Sequence, residues 1–142
     1  RNLKKFTRPT KAKPETPTQL FLTERAYPRP PHREIYHEAY FLWKSWHGDG
    51  MTYLSLNQKR SHHALQYAME HLETMKSLLK EERALPLESS IQELKGIRDR
   101  LGRRRLGSRE RDQIHQVLEK SFRKISGDFN LEAVQNALVP DS

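Results

Sequence analysis

The sequence predicts an all-α protein: a small bundle of four to five helices preceded by an extended, proline-rich basic N-terminal arm. Two observations predict this fold. After residue 33, apolar residues recur three and four positions apart, and no pair of segments alternates as half-buried strands do. Before residue 34, six of the eight prolines interrupt the chain and no helical periodicity is present. We therefore divide the 142 residues into an arm, 1–33, and a helical domain, 34–142.

The arm carries most of the charge of the chain. It contains nine lysines or arginines against Glu15 and Glu24, so it contributes +7 of the net charge of +8. Its prolines favour extended or polyproline conformations, and we expect it to become ordered only when it is bound. Short apolar islands at Phe6, 20–22 and Tyr27 argue against a plain linker.

The first helix is predicted over 32–46, because Pro31 precedes a stripe of apolar residues at helical spacing. Gly48 and Gly50 predict the end of this helix, followed by a turn and a short extended piece over 48–54. The stripe consists of Ile35, Ala39, Leu42, Trp43 and Trp46.

This first helix is also rich in aromatic residues. It contains Tyr36, Tyr40, Phe41, Trp43 and Trp46. Because Tyr40 and Phe41 lie off the main stripe, the helix is apolar on more than one side and is expected to pack between two neighbours. We interpret these aromatics as core or protein interface; a platform on which nucleic-acid bases stack is the alternative.

A second helix is predicted from Ser55, whose hydroxyl would form a capping box with Gln58, to about Arg83. Its stripe consists of Leu65, Ala68, Met69, Leu72, Met75 and Leu79. About 28 residues at 1.5 Å each would span roughly 42 Å, which makes this the longest predicted element.

Each remaining helix is predicted from an apolar stripe and from a residue that favours the start or the end of a helix. Pro86 is expected to break the chain before a third helix, which Gly102 ends. Ser108 is expected to cap a fourth helix that continues to Gly127, and Pro140 stops a short fifth helix. The three stripes are Leu87, Ile91, Leu94, Ile97 and Leu101; Ile114, Val117, Leu118, Phe122 and Ile125; and Leu131, Val134 and Leu138.

Composition favours a polyanionic partner. The pI near 9.9 is typical of proteins that bind nucleic acid or an anionic membrane surface. No stretch approaches the 18 or so consecutive apolar residues of a spanning helix, and the arm lacks the apolar face of an interfacial helix, so we expect no membrane partner. The apolar content of 35% is low, which predicts that the domain completes its burial against other protein subunits.

The arm supplies the first set of candidate contacts. We expect its cations to neutralise nucleic-acid phosphates with release of counterions. These candidates are Lys4, Lys5, Arg8, Lys11 and Lys13. Phe6, Phe21 and Tyr27 would stack on unpaired bases. The alternative is a solvated tail without a partner.

A second basic site is predicted at 101–108, with the sequence LGRRRLGS. Three arginines follow the third helix, and Ser108 with the free amides of the fourth helix begins three residues later. A helix N-terminus carries partial positive charge and unpaired N–H groups, so together these groups would hold a phosphate. The candidates are Arg103, Arg104, Arg105, Ser108, Arg109 and Arg111, with Arg98 and Arg100 widening the patch. Alternatively, the loop arginines complement the dipole of the third helix and pair with Asp99, Glu110 and Asp112.

No motif points to catalysis, a metal or a cofactor. The chain has no cysteine, and it lacks nucleophile elbows, phosphate-binding glycine loops and dinucleotide fingerprints. His62 and His63 point about 100° apart on a helix and cannot easily share an ion, so we interpret all seven histidines as surface or core residues. Beside Lys59 and Arg60, that pair would equally suit a nucleic-acid face. We expect no enzyme and no small-molecule substrate.

We interpret the chain as a non-catalytic structural subunit of a nucleoprotein assembly, in its sharpest form a ribosome-like ribonucleoprotein, with RNA favoured over DNA and other protein subunits as neighbours. One alternative is a DNA-associated accessory module for replication, transposition or filament formation, with Arg109, Arg111 and Gln113 reading a groove. Another is a protein-interaction adaptor without nucleic acid. Because residue 1 is Arg, processing and truncation are both compatible with the sequence, and the expected compartments are the mitochondrial matrix or the cytoplasm.

Overall fold

The apolar stripes of the sequence form helices throughout the part of the chain that the computed structural model describes, residues 29–141. Of these residues, 82% are helical and none belongs to a β-strand, so the all-α prediction is confirmed. The elements are α1 (His32–Tyr53), α2 (Gln58–Ser77), α3 (Glu81–Arg103), α4 (Ser108–Asp128) and α5 (Leu131–Val134), followed by a 3₁₀ turn at Gln135–Ala137. The arm over 1–28, with its five cationic candidates, lies outside the described residues.

The core lies between α1, α2, α3 and α4. α1 packs mainly on α2, α2 packs on α3, and α4 contacts both α1 and α3. All five predicted apolar positions of α3 are buried, and so are all six of the predicted second stripe. In α4, Ile114, Leu118 and Ile125 are buried, whereas Phe122 is partly buried and Val117 is exposed. Periodicity therefore identified the buried faces of α2, α3 and α4. The predicted stripe of α1 is wrong in part, because Leu42 is exposed and Tyr36, Tyr40 and His47 are buried.

The predicted end of α1 at Gly48 and Gly50 is wrong, because the helix continues through both glycines to Tyr53. Gly50 is buried, and a Cβ there would lie 2.6 Å from Cδ2 of Leu65 on α2. Ser61 Oγ also donates to the carbonyl oxygen of Gly50 at 2.6 Å. Gly50 thus permits close contact between two helices, and no extended piece forms over 48–54.

The predicted bounds of α2 are also wrong at both ends. Asn57, not Ser55, is the N-cap, and its side chain accepts a hydrogen bond from the Arg60 N–H at 3.1 Å. The helix ends at Ser77, because the next residues bond to the C-terminal segment instead. The N–H of Val139 donates to Leu78 at 2.8 Å, and the N–H of Lys80 donates to Ala137 at 2.8 Å. α3, with 23 residues, is consequently longer than α2, with 20.

Pro86 lies inside α3 instead of preceding it, which corrects the predicted break. Its ring removes one helical hydrogen bond, but the residue is exposed and so displaces no core side chain. Glu81 and Glu82 occupy the first turn, where negative charge is favourable. The helix ends at Arg103, one residue past Gly102.

The predicted cap of α4 at Ser108 is also wrong. Gly107 is the N-cap, Ser108 is the first helical residue, and no side chain caps this terminus. α4 ends at Asp128, one residue beyond Gly127. The short fifth helix begins at Leu131, as predicted, but ends at Val134, before the predicted stop at Pro140. Asn130 caps it by accepting from the Ala133 N–H at 2.9 Å.

The N-terminus of α1 is closed by the C-terminal segment. The backbone N–H of His32 donates to Asp141 Oδ1 at 2.7 Å, and His32 Nδ1 lies 2.9 Å from the carbonyl oxygen of Val139. Pro31, the N-cap, offers no side-chain acceptor. Asp141 therefore supplies from a distance the acceptor that a local cap residue would supply.

His47 is a fully buried member of the core. Trp43 Nε1 donates to His47 Nδ1 at 3.1 Å, which leaves Nε2 as the donor to the carbonyl oxygen of Leu118 at 2.9 Å. The rings of Trp43 and Phe122 stack beside it with centroids 5.4 Å apart. Burial lowers the pKa of His47 to about 4, so the imidazole is neutral at pH 7 and links α1 to α4.

Candidate functional site

The four-residue connection between α3 and α4, residues 104–107, is held against the first turn of α2 by Gln58. The Gln58 Nε2 donates to the carbonyl oxygens of Leu101 at 2.9 Å and Arg104 at 2.6 Å. Its Oε1 accepts from the backbone N–H of Leu106 at 3.0 Å. Because both ends of one amide are used and the Leu106 side chain is buried, the backbone of this connection is anchored.

A groove of about 660 Å³ opens beside this connection. Its walls come from the turn between α1 and α2, the first turns of α2, the last turn of α3 and residues 103–105. We call it the basic groove. Its lining includes the cationic residues Lys59, Arg103, Arg104, Arg105 and Arg111, together with His62 and His63.

Positive charge is concentrated around the basic groove. Residues 98–112 hold seven arginines and three acidic residues, whereas 34–142 as a whole carries a net charge of only +1. The rest of the domain is therefore net negative. Residues 98–112 therefore form a basic region, and the connection between α3 and α4 lies within it.

The arginines of the predicted loop differ in their partners. Arg104 pairs with Glu110 at 2.9 Å, and Arg100 approaches the same carboxylate oxygen at 3.3 Å. The hydrogen bond from Arg104 holds the pKa of Glu110 below its ordinary value, so this acid is charged. Arg103 and Arg105 form no ion pair with any residue of 29–141. The alternative role, pairing with nearby acids, thus applies to Arg104.

The structure divides the predicted phosphate site. Arg103, Arg104, Arg105 and Arg111 line the basic groove, whereas the exposed residues Ser108 and Arg109 lie outside its lining. Arg111 also donates from Nη1 to the carbonyl oxygen of Leu106 at 2.7 Å. The loop arginines are thus grouped with the start of α2. Arg111 joins them from the first turn of α4, whereas Ser108 and Arg109 do not.

The histidine pair also lies at the basic groove. The rings of His62 and His63 make an edge contact with centroids 5.4 Å apart. A Cβ on Gly102 would lie 2.9 Å from His62 Nε2, so the glycine lets this ring pack against the last turn of α3. Burial lowers the pKa of His62, and the electrostatic effect of His63 and Arg98 lowers it further. The ring is therefore neutral at pH 7.

Sequence reasoning missed Gln58 and Leu56 as parts of the site. Gln58 was interpreted as half of a capping box, and nothing in the local pattern shows that its amide reaches residues 43 to 48 positions away. Leu56 is 74% exposed and lines the groove. A large apolar residue between Ser55 and Asn57, off the predicted stripe of the second helix, is the one signal that was present.

The aromatic residues of α1 divide between core and surface. Tyr36, Tyr40 and Trp43 are buried, which agrees with the core interpretation. Phe41 is 55% exposed. Trp46 packs against the exposed Tyr67 of α2, with ring centroids 4.8 Å apart. Part of the aromatic surface is therefore open to solvent.

Among residues 29–141, no three His, Asp or Glu side chains are grouped so that they would hold a metal ion. Within the same range, no helix combines the length and the apolar character needed to cross a membrane. No protein-family model, curated protein or solved structure matches this chain.

Proposed function

We propose that this protein is a non-catalytic, nucleic-acid-binding subunit of a nucleoprotein assembly, with RNA as the favoured nucleic acid. The basic groove holds phosphates, and the arm supplies a second set of contacts. The observation that carries this proposal is the grouping of Lys59, Arg103, Arg105 and Arg111 around one groove in a domain whose remaining surface is net negative.

The partners of the arginines support phosphate binding at the groove. Arg103 and Arg105 have no acidic partner among residues 29–141, so no such pair must be broken before they bind an anion. The guanidinium group also matches two phosphate oxygens at once, which an ammonium group does not. Gln58 anchors their backbone, which lowers the entropy that binding costs.

The arm adds further cations and aromatic residues that suit nucleic-acid binding. Its nine cations and two glutamates give it a net charge of +7, and cations that neutralise phosphates release counterions. Aromatic residues lie among these cations, and stacking on unpaired bases is a common mode of RNA recognition. The preference for RNA and for a ribosome-like assembly rests on this composition.

The test is salt-dependent binding of the full chain to single-stranded RNA. The double variant Arg103→Glu and Arg105→Glu should bind at least about tenfold more weakly, and the slope of log affinity against log salt should fall by about 1.4, or 0.7 per lost contact. The matched control is Arg123→Glu, an exposed arginine of α4 whose ion pair is with Glu119.

Equal affinity and equal slope for the double variant and the Arg123 control would contradict the proposal for the groove. Circular dichroism must show unchanged helix content in both. If the double variant instead loses helix, residues 103 and 105 have a structural role. Competition between RNA and DNA of the same sequence then separates a ribonucleoprotein subunit from a DNA-associated module.

A second candidate is a protein-interaction adaptor, which the exposed aromatic surface of α1 and α2 favours. Phe41, Leu42 and Tyr67 are all exposed. Exposed apolar patches of this kind are common at protein interfaces. A chain that acts only as an adaptor would show no salt-dependent affinity for RNA or DNA, so the same measurement separates the two candidates.

A further inference from the structure

We infer that the basic groove takes one unpaired nucleotide, with its base against the apolar part of the lining and its phosphate on the arginines. The protein would then prefer single-stranded or bulged segments to an uninterrupted duplex. This inference rests on the proposed function and specifies what the groove recognises.

The basic groove is a recess and not an open surface. Phosphates along a duplex can be bound by cations on an open surface, and they require no recess. The basic groove instead has a volume of about 660 Å³, within the range of roughly 300–1,000 Å³ that is typical of sites for small organic groups. A flat base with its sugar is a group of that kind.

The lining of the basic groove combines apolar and cationic side chains. Leu54 and Leu101 are buried, and Leu56, which is 74% exposed, also lines the groove. A sugar-phosphate backbone gains little from a leucine, whereas a base buries its face against apolar side chains. The cations Arg103 and Arg105 lie in the same lining, so one nucleotide would satisfy both kinds of surface.

His62 adds hydrogen-bonding groups to the basic groove. His62 is neutral at pH 7, so its ring offers one donor and one acceptor instead of a second positive charge. Base edges present donors and acceptors, and only an unpaired base has its pairing edge free. Gly102 leaves the room that this ring occupies, since a Cβ there would lie 2.9 Å from Nε2.

The experiment compares three probes on the full chain: an eight-nucleotide single-stranded RNA, the same sequence as a duplex, and heparin, a polyanion without bases. Leu56→Ser should weaken binding of the single strand by about fivefold or more, because base stacking is lost. It should leave the affinities for duplex and heparin unchanged. The matched control, Leu85→Ser, changes another exposed leucine, 60% exposed, which lies in α3 outside the groove and should alter none of the three.

The Arg105→Ala variant completes the design, since it should weaken binding of all three probes. If Leu56→Ser behaves like Leu85→Ser, or weakens heparin as much as the single strand, the groove recognises charge alone and the inference is wrong. The proposed function survives that result if binding remains salt-dependent. If the unaltered chain binds none of the probes, both the inference and the proposed function fail.

Discussion

Gln58 accepts a hydrogen bond from the backbone N–H of Leu106 at 3.0 Å, which joins the first turn of α2 to the connection between α3 and α4. The same side chain donates to Leu101 and Arg104. One amide thus holds the backbone on both sides of the three loop arginines, together with the buried Leu106 side chain and the bond from Arg111 to Leu106. The geometry of the basic groove depends on a residue that carries no charge.

Gln58→Ala should therefore loosen the connection more than it destabilises the domain. Three hydrogen bonds are lost, with an expected cost of about 1–3 kcal/mol in the free energy of unfolding. Amide hydrogen exchange at Leu106 should become faster, and affinity for RNA should fall. The control is Gln113→Ala, an exposed glutamine of α4. Unchanged exchange at Leu106 would show that the buried Leu106 side chain anchors the connection without Gln58.

Two glycines of α1 should respond in opposite ways to alanine. At Gly50 a Cβ would lie 2.6 Å from Leu65 Cδ2, and Leu65 is fully buried, so Gly50→Ala should lower the free energy of unfolding by about 1–2 kcal/mol. At Gly48 nothing lies within 4 Å, so Gly48→Ala should raise it by about 0.5–1 kcal/mol through helix propensity. Urea denaturation measures both, and a stabilised Gly50→Ala variant would contradict the close packing of α1 on α2.

His47 should make the domain less stable as the pH falls from neutral. Its pKa is about 4 in the folded chain against 6.5 in the unfolded chain, so between these values the unfolded state binds more protons. The stabilisation is complete above pH 6.5 and is lost as the pH falls towards 4. At pH 5 the expected loss is about 2 kcal/mol relative to pH 7.5.

The measurement for His47 is urea denaturation at pH 7.5 and pH 5. His47→Gln keeps a donor and an acceptor but cannot be protonated in this range, so the loss on acidification should shrink by about 2 kcal/mol. His62, whose pKa is also lowered, contributes in the same direction, and the readout is therefore the difference between variant and unaltered chain. The control is Gln116→Ala, an exposed and non-titratable residue of α4, which should leave the pH dependence unchanged.

Neutralising the arm should weaken RNA binding without affecting the helical domain. Replacing Lys4, Lys5, Arg8, Lys11 and Lys13 with Gln should reduce affinity at least about tenfold and lower the salt slope by up to about 3.5. Deletion of the arm should stop at residue 28, since His32 takes part in closing the N-terminus of α1. Unchanged affinity and slope in the substituted chain would remove the arm from the mechanism.

The helices were predictable where a local pattern is enough. Leu87, Ile91 and Leu94 were expected on one face of a helix, and all three are buried. The helix ends were less predictable. Gly48, Gly50 and Pro86 were interpreted as stops because each disfavours a helix interior by about 1–3 kcal/mol, but packing and hydrogen bonds to distant residues outweigh penalties of that size.

In the candidate site, too, the residues were predictable from local patterns but their arrangement in space was not. The sequence shows a run of positive charge at Arg103, Arg104 and Arg105, and a polar face at Lys59, His62 and His63. No local rule connects these two segments, because they lie about forty residues apart. Gln58 makes that connection through its side chain. Its partners are specified by the packing of α2 against α3, which no periodicity encodes.

The amino-acid sequence by itself determined the all-α class, the buried faces of α2, α3 and α4 and the concentration of charge in the arm and at 98–112. These follow from spacing and composition, which are properties of neighbouring residues. Only the tertiary structure decided that α1 passes through Gly50, that α2 ends at Ser77 and that the loop arginines face the start of α2. Those features depend on contacts between distant segments, and their free energies exceed the local preferences from which a sequence is interpreted.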